Sequence, residues 1–306
     1  MSVTFGLENI PHEARGCAVA IGVFDGVHWG HRAIFDELVG VATSRGIKSA
    51  ALTFDKHPTE LLAPSRAPEY ISTLEQRIEL IQAAGVDEVI VAEFNQELAS
   101  LSREDFMSIV LRGFLRARHI VVGSNFRFGR DREGDTRYLM SNAPLLGIGV
   151  NVVPAVIVAG GPVSSTRVRA LLSKGDIIEA NKLLGRRFAL RGTVVRGEQI
   201  GRTIGYPTAN IQPGTRQIIP ARGVYVVESK IDHTSYTGVC NIGRRPTFGG
   251  HAQTIEVHFS GFQGDIYGHT LDVTFLRRLR DEMTFESPDM LADQIRKDLE
   301  RAVETQ

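Results

Sequence analysis

The sequence predicts a chain in two parts: an α/β half built on a parallel sheet, then an all-β half closed by one helix. Up to about residue 155, short β-rich apolar runs alternate with longer stretches of helical periodicity. Those runs are continuously apolar, as strands covered on both faces are. Beyond about residue 185 the alternation stops, and five β-rich runs follow, separated by Gly, Pro or polar turns.

Each element has its own signal. "CAVAIGV" (17–23) reads as a buried strand. In "HRAIFDELVGVATSRG", Ile34, Phe35, Leu38, Val41 and Ala42 fall at helical spacing, and Gly46 can close the helix. "KSAALTF" (48–54), "EVIVAEF" (88–94), "HIVVG" (119–123) and "NVVPAVIV" (151–158) are strands. Residues 74–84, 102–116 and 135–146 are helices, and residues 165–185 form a helical bridge between the halves. In the second half, 188–195, 223–231, 235–243, 254–262 and 271–279 are strands, at a spacing that suits a small antiparallel barrel or sandwich. Ser287 is a good N-cap and Pro288 a good first residue for a last helix, along which Leu291, Ile295, Leu299 and Val303 recur every four positions.

Composition narrows the function classes. The 306 residues are 42% apolar, enough for an ordinary soluble core, and their length suits two domains. Lys plus Arg balance Asp plus Glu at 35 each, which argues against a nucleic-acid protein held by a broad basic surface. Cys17 and Cys240 are far apart in apolar contexts, so a reduced, cytoplasmic setting fits better than a disulfide. No apolar run is long enough to span a membrane. The first sixteen residues lack the pattern of a signal peptide.

The chemistry begins at "VFDGVHWGH" (23–31), a strand-to-helix turn. In an open parallel sheet, ligands bind beyond the carboxyl ends of the strands. Gly26 and Gly30 allow tight turning and close approach. A helix starting near His28 and His31 points free N–H groups and its positive end at that place, so an anion is expected. Two imidazoles three residues apart can both donate to phosphate oxygens. Such a pair also arises by chance. Zinc is a further alternative, but no third ligand is evident nearby and the cysteines are not clustered. "VSSTRVR" (163–169) follows the strand at 151–158 and opens another helix with three hydroxyls and two guanidiniums, again phosphate chemistry, although it could equally be a capping sequence with solvated arginines. There is no P-loop and no G-x-G-x-x-G after the first strand.

Together these segments resemble the nucleotidylyltransferase superfamily, and the likeness can be made narrower. "GVFDGVHWGH" (22–31), "TFDKHP" (53–58), "VGSNFRFGRDREGD" (122–135) and "VSSTRVRALLSKGDIIEANKLLGR" (163–186) resemble the adenylyltransferase half of the prokaryotic bifunctional riboflavin kinase/FMN adenylyltransferases, or FAD synthetases. "GTVVRGEQIGRTIGYPTANI" (192–211), "GVCNIGRRPTF" (238–248), "TIEVHFSGFQGDIYG" (254–268) and "FLRRLRDEMTFESPDMLADQI" (275–295) resemble the kinase half. The likeness runs in order through nearly the whole chain. Lys56, Trp29 and Tyr206 stand where the family often has Pro, Leu and Phe, and Pro162 stands where some members are basic.

The resemblance implies a Rossmann-like nucleotidylyltransferase domain over 1–185, with a parallel sheet. It implies an antiparallel six-stranded β-barrel with a terminal helix over 186–306. It implies that ATP phosphorylates riboflavin to FMN, and that a second ATP adenylylates FMN to FAD with release of pyrophosphate, both with Mg²⁺. In the first domain it assigns His28 and His31 to the ATP phosphates, with Phe24 and Gly26 in the same turn. Ser165, Thr166 and Arg169 grip the triphosphate from the other side. Asn125 orients nucleotide or FMN, with a left-handed turn residue as the alternative; Phe126 and Phe128 could be core or flavin-stacking residues. Adenylyl transfer needs no general base, because the attacking FMN phosphate is already an anion; it needs positioning and electrostatic stabilisation. In the kinase half the attacker is a neutral hydroxyl, which favours a carboxylate base. By resemblance that is Glu256; by residue pattern alone it is an exposed strand Glu. Thr208 and Asn210 are the implied Mg²⁺-ATP ligands, and the glycines of 196–207, Gly201 among them, suit a flap over phosphates.

Two rivals remain at this level: an enzyme with only one working half, and a flavin- or nucleotide-binding regulator without turnover. The partners expected are small molecules, with no nucleic acid and no membrane. The sequence leaves the oligomeric state open, a homo-oligomer included.

Overall fold

The computed structural model describes residues 1–197, 201, 205–247 and 250–303, without the side chains of 245–247, 250–252 and 303. The chain divides into two compact units, Met1–Pro68 with Leu74–Ser164, and Glu69–Thr73 with Ser165–Gln306.

The first unit is a six-stranded, all-parallel sheet in the order β1-β4-β3-β2-β5-β8. Its strands are β1 (Ser2–Phe5), β2 (Ala18–Ile21), β3 (Ser49–Phe54), β4 (Glu88–Ala92), β5 (His119–Gly123) and β8 (Gly149–Val153); β6 (Arg127–Phe128) and β7 (Gly134–Asp135) form a small hairpin between them. Helices α1 (Trp29–Arg45), α2 (Pro58–Leu62), α3 (Leu74–Ala83), α4 (Gln96–Ser100), α5 (Arg103–Asp105) and α6 (Thr136–Asn142) fill the crossovers. Side chains alternate across a strand, so the continuous apolar runs split between two faces. Ala18, Ala20, Ala51, Val89 and Val121 pack with Phe35 and Leu38 of α1 and Ile81 of α3. Val19, Ile21, Leu52, Ile90, Ile120 and Val122 pack with Phe106, Val110 and Leu111 on the opposite face.

α1 ends at Gly46, in the left-handed region at φ +62°, as its glycine requires. The helix expected over 102–116 is α5 continued by a π-wound stretch, Phe106–Phe114. The strand expected over 151–158 stops at Val153 and resumes as β9 (Ile157–Val158), which pairs with β10 (Gly161–Pro162). Pro154 interrupts it, because a proline offers no N–H to a ladder. β1 carries no sequence signal of a buried strand, since its side chains lie outside the core along the sheet edge.

In the second unit, α7 (Ser165–Lys174) and α8 (Ile177–Leu184) lead into a closed barrel, β11-β12-β15-β14-β13-β16. Its strands are β11 (Phe188–Val195), β12 (Ala209–Pro213), β13 (Gly223–Ile231), β14 (Thr234–Thr247), β15 (Gly250–Phe259) and β16 (Thr270–Arg280). Neighbouring strands are antiparallel throughout, and closure leaves no exposed edge. Phe188, Leu190, Tyr225, Val227, Val257 and Phe275 are fully buried in this unit. Glu69–Thr73 belongs here because Tyr70 bridges Gln217: the Tyr70 N–H donates to the Arg216 carbonyl, and the Ile218 N–H to that of Tyr70. The last helix, α9 (Pro288–Val303), begins as expected, with the Met290 N–H donating to Ser287 Oγ. Leu299 and Ala302 pack on Val224, Val226 and Val239, and Asp298, wholly buried, receives Nε and Nη2 of Arg280.

Candidate functional sites

The chain runs from β2 to β3 and β4 on one side, then crosses to β5 and β8 on the other. The switch of direction lies between β2 and β5, which are adjacent. Two of the expected segments follow the carboxyl ends of these strands: the His28–His31 turn after β2 and Asn125 after β5. This is where open α/β sheets take ligands.

The turn after β2 is left-handed at three places, Phe24 (φ +51°), Gly26 (φ +79°) and Val27 (φ +37°). Phe24 is buried, its ring packed on Phe35 at 4.8 Å between centroids and edge-on to His31 at 5.3 Å. Its main chain is what it can offer a ligand, while its ring braces His31. His28 is the N-cap of α1: the His31 N–H donates to its Nδ1 at 3.3 Å. That bond makes Nδ1 the acceptor, so in the neutral ring the proton sits on Nε2. The two imidazoles stack at 3.7 Å and 17°. A Cβ on Gly30 would stand 3.1 Å from the His28 ring, so glycine leaves room for the pair. No acidic residue occupies the first turn of α1, which leaves the positive end of a 17-residue helix uncompensated from within.

Asn125 is exposed and lies in a turn, outside the left-handed region. Phe128 is core, stacked on Phe126 and packed on Phe106. Ser165, Thr166 and Arg169 open α7 in the second unit, where Arg169 Nε donates to the Glu69 carbonyl at 2.7 Å.

The barrel holds a second constellation. Asn210 of β12 lies in register with Glu256 of β15, which lies in register with Asn241 of β14. All three are half-buried and alternate with buried neighbours, Ala209, Ile255, Val257, Cys240 and Ile242. They therefore form one polar row across three strands, and period-two alternation puts them on the same side. Thr208 precedes β12 and is also half-buried. A Cβ on Gly197 would stand 2.3 Å from Asn210 Nδ2, and one on Gly201 2.3 Å from the Tyr206 carbonyl and 3.3 Å from Thr208. These two glycines keep backbone close against the row without filling it. Residues 198–200 and 202–204 of the expected flap lie outside the described residues. Asn241 carried no sequence signal, because an Asn in "GVCNIG" looks like any polar strand residue. Within the same unit, an open cavity of about 700 Å³ is lined by Arg222, Arg244, Gln253, Arg278, Asp281 and Glu282, among others. It adjoins the row through Gly243, where a Cβ would meet Glu282 Oε1 at 2.4 Å and Asn241 Nδ2 at 3.3 Å.

Neither cysteine is suited to chemistry. Burial pushes the Cys17 thiol up to about 11 and raises that of Cys240 further, with the nearby Glu256 charge adding to it.

The family model described as FAD synthetase matches residues 10–167, and that described as riboflavin kinase matches residues 184–305. A bifunctional riboflavin kinase/FMN adenylyltransferase from Pseudomonas fluorescens is 40% identical over 303 residues, 99% of this chain and 97% of that protein. Relatives of the same name are 37% identical in Escherichia coli K12, over 97% of this chain and 96% of the relative, and 33% identical in Bacillus subtilis, over 96% and 94%. A crystal structure described as a macrolide-efflux protein from Streptococcus pneumoniae superposes with a TM-score of 0.90 at 33% identity, covering 99% of both chains. Among the described residues of the present chain, no helix is long and apolar enough to cross a membrane.

Proposed function

The chain belongs to the family of bifunctional riboflavin kinase/FMN adenylyltransferases, and from that premise we propose which residues carry its two activities. It phosphorylates riboflavin to FMN with ATP and adenylylates FMN to FAD with release of pyrophosphate. We assign the second reaction to 1–185 and the first to 186–306.

What supports the adenylyltransferase assignment is that the His28–His31 turn follows β2 and Asn125 follows β5, the two adjacent strands at which the sheet changes direction. Charge builds on the α-phosphate oxygens and on the leaving pyrophosphate as the FMN phosphate attacks. The Nε2–H of His28, the ring of His31 and the first N–H groups of α1 supply donors to those oxygens. Phe24 and Gly26 shape the turn. By their motif, Ser165, Thr166 and Arg169 are triphosphate-binding residues, and Asn125 one that orients nucleotide or FMN.

For the kinase, Glu256 takes the proton of the ribityl hydroxyl as it attacks the γ-phosphate, and Asn241 and Asn210 flank it in the polar row. The adjoining cavity is the place for the flavin. Thr208 and Asn210 would hold Mg²⁺-ATP, with Gly201 in the backbone beside them. Both side chains are neutral oxygen donors, and among the described residues no three His, Cys, Asp or Glu side chains group as a metal cage. This donor set fits Mg²⁺, a hard cation that takes oxygen ligands. When bound, the ion neutralises phosphate charge. Buried, unpaired Cys17 and Cys240 support a cytoplasmic location, and the balanced charge supports small-molecule partners rather than nucleic acid.

A time course with riboflavin, ATP and Mg²⁺, with flavins separated by chromatography, tests this. FMN should appear first and FAD follow, and both should stop when EDTA replaces Mg²⁺. FMN that never proceeds to FAD, or turnover indifferent to EDTA, would overturn the corresponding part.

A further inference from the structure

The turn that carries His28 and His31 is conformationally expensive. Val27 is β-branched and Phe24 bulky, yet both have positive φ, a backbone conformation disfavoured for such residues. Conformations of this kind persist only where the surroundings over-determine them. Some of the support is local: the Val27 N–H donates to the Phe24 carbonyl at 3.1 Å, and the Phe24 ring is wedged between Phe35 and His31.

The root of the turn is held from outside it. Arg77, on α3, is 1% exposed. Its Nη1 donates to the Val23 carbonyl at 2.7 Å and reaches Thr53 Oγ1 at 3.4 Å. Thr53, fully buried on β3, donates its hydroxyl to the same Val23 carbonyl at 3.0 Å. One carbonyl, a residue before the first left-handed position, thus receives a charged and a neutral donor from two different elements. Bringing a guanidinium into a core costs free energy that an apolar side chain would not. The gain is a short, charge-assisted bond at the point where β2 becomes the phosphate-binding turn.

We propose that Arg77 is a positioning residue for adenylyl transfer: with Thr53 it clamps the Val23 carbonyl and so fixes the left-handed turn that aims His28 and His31 at the ATP phosphates. This rests on the reading of that turn as the FMN adenylylation site. Displacing a reacting group by about 1 Å can cost about 100-fold in rate. Loosening the clamp should act on that scale through the turn, Arg77 itself being 1% exposed.

The test uses the full chain with Arg77→Met, Arg77→Lys, Thr53→Val and His31→Ala. FAD formation from FMN and FMN formation from riboflavin are measured on each preparation. Arg77→Met should lower kcat for FAD formation by about 100-fold and raise the KM for ATP, with riboflavin phosphorylation unchanged. Arg77→Lys, which keeps a charged donor for Val23, should return the ATP KM most of the way. An arginine that only filled the core would lower thermal stability and the active fraction but leave the ATP KM unchanged. Folded Arg77→Met with unaltered kcat and ATP KM for FAD formation overturns the proposal. If Arg77→Met does not fold, Thr53→Val decides: it keeps shape and loses the second donor, and normal FAD kinetics there overturn the clamp. His31→Ala separates the two levels. If it retains FAD formation, the reading of the turn falls; if it loses FAD formation while Arg77→Met does not, only the role of Arg77 falls.

Discussion

His28 has a structural duty and a proposed chemical one, and two substitutions separate them. Its Nδ1 caps α1 by accepting from the His31 N–H, while its Nε2–H is the proposed phosphate donor. Asparagine is a strong N-cap, so His28→Asn keeps the first function, while its shorter side chain, with its oxygen turned to the cap, carries no N–H to the place of Nε2. Alanine removes both. The cap bond is long at 3.3 Å, so its loss should sit in the middle of the usual range, about 1 kcal/mol. Removing one preorganised donor from a transition state of developing oxyanion charge costs about 10²–10³ in kcat. Urea unfolding should therefore place His28→Asn near the wild type and His28→Ala about 1 kcal/mol below it. FAD formation from supplied FMN should fall by the same large factor in both, and FMN formation from riboflavin should not change. A stable His28→Asn protein making FAD at the wild-type rate would refute the phosphate-donor role. Equal stability of His28→Ala and wild type would refute the cap.

Three further outcomes follow from other parts of the chain. A fragment of residues 186–306 should fold and phosphorylate riboflavin; a folded fragment without kinase activity would show that the sites are not separable. Asp298→Ala leaves the half-buried guanidinium of Arg280 without the wholly buried carboxylate it pairs with, and breaking such a pair costs about 3 kcal/mol, the low end for a buried one; denaturant unfolding of the barrel within about 1 kcal/mol of wild type (roughly the worth of a surface pair) would refute this account. His119 is buried beside β8, its Nε2 donating to Asn151 Oδ1 at 3.0 Å, and burial lowers its pKa below the ordinary 6.5, opposed by the Asn151 bond. The neutral ring is thus the folded form. Its contribution to stability is fully present above the unfolded pKa and is lost as pH falls from there through the lower folded value. The wild type should lose more thermal stability than His119→Leu on going from neutral pH into the acid range; parallel profiles would count against it.

What was legible in the sequence follows physical lines. The central parallel strands β2, β3, β4 and β5 could be read because both their faces are buried. β11 could be read because buried and half-buried positions alternate along it, and β13 because its first five residues are all buried. β1 could not, because an edge strand with exposed side chains has no apolar signature, and β12 could not, because "ANIQP" carries Asn, Gln and a terminal Pro. The same division holds at the sites. His28 and His31 stand in sequence next to the glycines that make their turn, so the local pattern announces them. Arg77 does not stand out, since in "LEQRIEL" it looks like an ordinary charged helix residue; its burial under Val23 comes from the way α3 packs beside β2 and β3. Asn241 is likewise placed by strand register, which joins residues distant in sequence.

Glu256→Gln tests the kinase site most directly. Glutamine keeps the size of the side chain and an oxygen to accept from the hydroxyl, but cannot take its proton. The measurement is paired on one purified preparation: FMN from riboflavin, and FAD from supplied FMN. Loss of the base should slow the first by about 10²–10⁴, with riboflavin binding weakened far less. The second should run at the wild-type rate, since its attacking phosphate needs no base. Wild-type FMN production by Glu256→Gln would contradict the account, because it would leave Glu256, the centre of the polar row, without a chemical role.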